Sequence, residues 1–88
     1  MATTTHPESG LSQEVTGAEL VYFVDFANGI GAAQFEINVD GDWLPAEPVR
    51  TATMANPRVT DLHHPNDRAF RWNVIVSSGT IKTLLSKS

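Results

Sequence analysis

Apolar residues recur at every second position in three separate stretches of this chain, and turn-forming residues separate the stretches. In Glu19-Leu-Val-Tyr-Phe-Val-Asp-Phe26, one face carries Leu20, Tyr22, Val24 and Phe26. From Ala33 to Val39, Phe35, Ile37 and Val39 alternate with Gln34, Glu36 and Asn38. From Phe70 to Val76, Phe70, Trp72, Val74 and Val76 share a face opposite Arg71, Asn73 and Ile75. A period of two places alternate side chains on opposite faces of a strand, whereas an amphipathic helix needs a period of 3.6. The residues are also aromatic and β-branched, which suits a pleated, half-buried surface.

The punctuation agrees with strands. Asn28-Gly29-Ile30-Gly31 supplies left-handed backbone for a turn, and Asp40-Gly41 is a strong hairpin signal. Trp43 and Leu44 begin a returning strand that Pro45 and Pro48 confine to an edge, because proline cannot donate to a ladder. Val49–Met54 reads as a further strand ended by Asn56-Pro57. Arg58–Leu62 is a short segment able to pair on either side, and His63-His64-Pro65-Asn66-Asp67 is a polar turn. Ser77-Ser78-Gly79 turns the chain back into Ile81–Leu85 as a C-terminal hairpin. The expected fold is therefore all-β: a small antiparallel β-sandwich or jelly-roll-like barrel of six to seven strands. Residues 1–18, rich in Thr, Ser, Gly, Glu and Gln, form an extended N-terminal arm with Leu11 and Val15 as its sizeable apolar residues, and residues 19–88 form the sandwich.

At 88 residues the core is thin, and folding buries only about 60–65% of the surface an unfolded chain exposes. A partner surface would add much, and the many edges favour homo-oligomers. With no Cys, the chain has no disulfide, thiolate zinc site or Cys nucleophile. No apolar run approaches the ~20 residues of a membrane span, and Met1-Ala-Thr-Thr-Thr-His6 has neither the basic segment nor the apolar run of a Sec signal.

The net charge of −4 is unevenly placed: residues 1–48 carry −8 with no Lys or Arg, and residues 49–88 carry +4. Either acidic and basic strands pair within one sheet, or an acidic face of one copy meets a basic face of the next. Both disfavour nucleic acid, since six scattered bases and a negative net charge oppose a phosphate backbone.

Candidate chemistry is sparse. Asp61, His63, His64 and Asp67 are metal-ligand types, but adjacent histidines on an extended segment point to opposite sides, so a solvated turn is the simpler reading and no metal or other cofactor is expected. Asn38, Asp40 and Asp42 begin like a calcium loop that the following Trp43 does not continue. Glu36 and Glu47 lack a deep pocket to act as a glycosidase pair. No nucleophile, base and orienter converge, so an enzyme with a small-molecule substrate is not expected. Trp72 falls in the inward register, while Trp43, directly after a tight turn, is the better candidate for exposure.

Three stretches, Val21-Tyr-Phe-Val-Asp-Phe-Ala-Asn-Gly29, Phe35-Glu-Ile-Asn-Val-Asp-Gly-Asp-Trp43 and Phe70-Arg-Trp-Asn-Val-Ile-Val-Ser-Ser-Gly79, together give a pattern that resembles the small β-sandwich virion proteins of tailed bacteriophages. The resemblance covers about three quarters of the chain and rests on the order of strands and turns. It implies a structural role: a capsid decoration or cement protein, or a tail, neck or fibre component, assembled in host cytoplasm and located in the virion. Implied partners are the major capsid protein or other virion subunits and further copies of the chain. The residues expected to make these contacts are Leu11 and Val15 of the arm, Trp43, Arg50, Arg58 and Arg71. The alternative is a carbohydrate-binding module that stacks sugars on Trp43 and Tyr22.

Overall fold

Strands make up every regular element in the computed structural model, which describes residues 3–51 and 60–87. In chain order they are β1 (Thr3–His6), β2 (Gly10–Leu11), β3 (Val15–Asp25), β4 (Gly29–Val39), β5 (Asp42–Pro45), β6 (Arg50–Thr51), β7 (Thr60–Gly79) and β8 (Ile81–Lys87). All pair antiparallel in the order β1-β8-β3-β7-β4-β5, with β2 joining β7 and β6 joining β4. The all-β, antiparallel expectation is met, with eight strands.

The 20-residue β7 organises the sheet. Its first half pairs with β3, from Thr60 opposite Tyr22 to Phe70 opposite Val15, and its second half pairs with β4, from Phe70 opposite Ile37 to Gly79 opposite Gly29. The sheet folds over on itself. As a result Tyr22 of β3 stacks on Phe35 of β4, strands that are not neighbours in the sheet, at 4.0 Å between centroids and 3° between planes. Phe70 and Trp72 complete the aromatic interior at 5.5 and 5.1 Å from Phe35. Trp72 donates its indole N–H across the interior to the Leu84 carbonyl of β8 at 3.0 Å. Leu20, Val24, Ala33, Val74, Ile81 and Leu85 fill the remaining core. The three alternating stretches thus bury the faces their period assigns, with Val76, Phe26 and Ile37 packed at the margin.

Asp40 and Gly41 have φ of 54° and 93° and close a two-residue loop between the opposed Val39 and Asp42. Positive φ at both central residues matches the right-handed twist of the flanking strands.

Three local readings differ from the structure. First, the N-terminal segment is extended but lies along the chain's own sheet: β1 pairs with β8, β2 pairs with β7, and β3 begins at Val15 instead of Glu19. The radius of gyration, 12.2 Å, equals the roughly 12 Å of a globule this size, so the segment is folded against the body. Alternating hydrophobicity did not reveal it because polar groups hold it. Ser12 bridges β7 at two points, its N–H donating to the Trp72 carbonyl at 2.9 Å and its hydroxyl accepting the Trp72 N–H at 2.8 Å. The Ser9 hydroxyl accepts the Val76 N–H at 2.9 Å.

Second, residues 63–67 are not a turn between strands but a wide bulge inside β7. The register steps from His63 opposite Glu19 to Arg68 opposite Gly17, leaving four residues of β7 against one of β3. Third, β7 and β8 do not form a hairpin. Gly79, at φ +70°, takes the chain round a corner where a Cβ would lie 2.2 Å from the Asn28 carbonyl oxygen, and β8 then runs between β1 and β3. A turn signal marks a change of direction without naming the strand that receives the returning chain. Of Val49–Met54, Arg50 and Thr51 form β6; residues 52–59, including the Asn56-Pro57 break and Arg58, lie outside the described residues.

Candidate functional site

With alternate side chains of β4 and β7 committed to the core, their partners form the outer face of the sheet. The register sets them in rows: Leu11 beside Asn73 beside Gln34, Ile75 beside Ala32 beside Thr51, and Arg71 beside Glu36 beside Pro45. Ile30 stands one step further along β4, opposite Ser78. Ile75, Ile30 and Leu11 are 61%, 60% and 52% exposed, so this face presents aliphatic side chains to water.

One end of the face is closed by charge. Arg71 Nε donates to Glu36 Oε1 at 2.8 Å, and both side chains are largely shielded. The same guanidinium lies 4.1 Å from the centre of the Trp43 ring. Trp43 is therefore half-buried beneath Arg71 and does not offer the open ring its position after a tight turn suggested. The pair neutralises itself, and the rows beside it are uncharged, with Leu11, Ile75 and Ile30 standing among Asn73, Gln34 and Thr51.

A second cluster covers the aromatic interior where the chain leaves β5. Arg50 Nε donates to Glu47 Oε1 at 2.8 Å, and its Nη2 donates to Glu47 Oε2 and to the Thr60 hydroxyl, each at 3.1 Å. The Tyr22 hydroxyl donates to Glu47 Oε2 at 3.2 Å, and the Gln34 side-chain amide donates to the Glu47 carbonyl. Arg50 also lies over the Tyr22 and Trp72 rings at 5.2 and 5.8 Å. Burial, then the adjacent Glu47 carboxylate, raises the Tyr22 pKa above its usual 10.0. A phenol shifted upward holds its proton and donates, the reverse of what a tyrosine base or nucleophile requires. The bidentate Glu47–Arg50 pair fastens the β5–β6 connection over the core.

These two clusters answer the question raised by the uneven charge. Acid from the first half meets base from the second at Glu36–Arg71, while Asp25 faces Lys82 across β3 and β8. Glu47–Arg50 adds a local pair at the boundary between the halves. The within-chain reading holds at Glu36–Arg71 and Glu47–Arg50, where the ion pairs form.

Of the residues expected to contact a partner, Leu11 stands exposed on the outer face and Val15 packs against the core. Trp43 lies under Arg71, Arg50 and Arg71 are held by their own carboxylates, and Arg58 is outside the described residues. The structure brings Leu11, Trp43 and Arg71 to one face and directs Arg50 to the other side of the sheet. Ile30 and Ile75 were not among those expectations. An isoleucine on the polar side of an alternating strand was the available signal for Ile75; Ile30 was concealed within a Gly-Ile-Gly turn.

His63 contacts Glu19 across the strands at 3.2 Å on an exposed surface, and His64 Nδ1 lies 3.1 Å from Asn66 N within the bulge. No group of three or more His, Asp or Glu placed to hold a metal occurs among the described residues. Comparison of the chain with protein-family models, with curated proteins and with solved structures gave no match.

Proposed function

We propose that this chain is an adhesive structural subunit, a capsid decoration or cement protein that binds a virion shell through the outer face of β2, β7 and β4. The carrying observation is the aliphatic stripe of Leu11, Ile30 and Ile75 beside a charge pair that is already satisfied. Such a face has little to offer a charged partner, and it gains by covering its apolar area: burying a whole aliphatic side chain contributes about 1.5–3 kcal/mol, and these are already partly covered. One such contact is weak. Repeated over neighbouring subunits of a shell, contacts of this size add without new chemistry. Further copies of the chain belong to the same arrangement, as a surface lattice requires.

The carbohydrate-binding alternative depends on open aromatic rings. Tyr22 is buried against Phe35, and Trp43 is covered by Arg71, so neither supplies a flat platform for a sugar.

Co-sedimentation with undecorated phage shells tests the proposal. Saturable binding at a fixed ratio of chain to shell subunit is expected, with no change in Trp fluorescence on adding polysaccharides. A chain that stays in the supernatant with shells, or that binds a polysaccharide with quenched Trp emission, contradicts it.

A further inference from the structure

β1 buries one side chain, and it is a histidine. His6, at the end of the strand, is 4% exposed, and its Nε2 lies 3.0 Å from the Thr83 hydroxyl of β8. A hydroxyl both donates and accepts, so either neutral tautomer is served. An imidazolium can still donate Nε2–H to the hydroxyl, but its charge would sit out of water with no carboxylate beside it, so burial disfavours it.

We propose that the His6–Thr83 contact is a pH-sensitive latch: protonation of His6 undocks Thr3–His6 from β8 and bares the outer edge of β8 from Ile81 to Leu84.

The topology makes such a release local. β1 stands at the end of the strand order with β8 as its partner, and its other side chains are exposed or half-exposed threonines. Pro7, Glu8 and Ser9 follow as an exposed connection, and Pro7 has no N–H with which to extend the ladder. Trp72, Phe35 and Phe70 are carried by β7 and β4, so the aromatic interior does not depend on β1.

The charged groups near the latch do not favour the imidazolium. Glu8 in the following loop is exposed; Lys82 and Lys87 of β8 are exposed, Lys82 being on the alternate face from Thr83, and Asp25 of β3 faces Lys82. Burial lowers the His6 pKa from 6.5, with no opposing carboxylate contribution. The free strand therefore takes up the proton more readily than the docked one. Docking is fully supported above pH 6.5 and loses support as pH falls below it, until the docked histidine also protonates. The bared edge is a row of unpaired N–H and C=O groups. The latch depends on the fold alone and is independent of what the outer face adheres to.

Amide hydrogen exchange on the full chain, corrected for the pH dependence of intrinsic exchange, tests the latch at about pH 7.5 and about pH 5. Protection in β1 and at the facing positions of β8 should fall at least about threefold on acidification, while protection at Phe35 and Trp72 is retained. His6→Gln keeps a partner for Thr83 without titrating, and its β1 protection should be the same at both values. If that variant does not fold, the imidazole titration of the wild-type chain decides, with His6 expected below 6.5. Titration at or above 6.5, or equal wild-type protection at both pH values, overturns the proposal.

Discussion

β7 and β1 belong to one sheet and are held in it by different physics. β7 pairs with β3 over its first half, with β4 over its second and with β2 at Asn73 and Val74, and it buries Phe70, Trp72 and Val74 in a stacked aromatic interior. β1 has four residues, pairs with β8 and buries one side chain, which is polar. Apolar burial carries no titrating group and is insensitive to pH, whereas a buried hydrogen bond to a titratable group depends on it. The centre of the sheet therefore supplies a stable body, and its margin supplies a response.

Four perturbations sharpen or break this contrast. The largest effect belongs to Trp72→Ala, which removes the ring at the middle of the interior and its N–H bond to Leu84. A loss of about 3–5 kcal/mol is expected in urea unfolding, a large part of the stability of a small domain. An effect below about 1 kcal/mol would show that β7 is not the organising strand. Truncation comes next. Removing residues 1–17 takes away the Ser12 bridge and the first three residues of β3, so about 3 kcal/mol should be lost, while removing residues 1–9 should cost about 1–2 kcal/mol. The sequence pattern, in which alternation becomes evident only at Leu20, places the whole sandwich after residue 18. Equal stability of the two truncations would restore that view.

A smaller effect is expected for Arg71→Ala. Glu36 would lose its partner and Trp43 its cover, at about 1–2 kcal/mol, with Trp43 emission moving to longer wavelength. An unchanged spectrum would mean that Arg71 does not cover the ring. The smallest effect on stability belongs to Ile75→Asp on the outer face, about 1 kcal/mol, because that side chain is 61% exposed and what is lost is strand propensity and a partial burial. A large loss of stability there would place Ile75 in the body and remove it from the adhesive face.

What could be read from the sequence follows the same division. The interior was visible because Leu20, Tyr22, Val24, Phe35, Phe70, Trp72 and Val74 repeat with the period of a strand, and because Asp40-Gly41 admits the positive φ its turn requires. β1 and β2 were not visible as strands, since Thr, Gly, Ser and His hold their places by hydrogen bonds that leave no hydropathy pattern. Pairing was also hidden: Ser77-Ser78-Gly79 announced a turn, but the partner of β8 is set by the fold-over that brings β3 and β1 to it. Of the outer face, Leu11, Trp43 and Arg71 were legible as an apolar residue of the arm, a ring after a tight turn and a base of the second half. Ile75 stood out of place on a polar face, and Ile30 gained meaning only once the register set it near Ile75 and Ala32.

The central claim is that the outer face adheres while the aromatic interior only supports it. The most direct test compares shell co-sedimentation of the wild-type chain with that of a variant carrying both Ile30→Asp and Ile75→Asp, after urea unfolding has shown that both are folded. The account expects wild-type binding that saturates and at least about a tenfold loss in the variant, the equivalent of about 1.4 kcal/mol. Undiminished binding by the folded variant would contradict it.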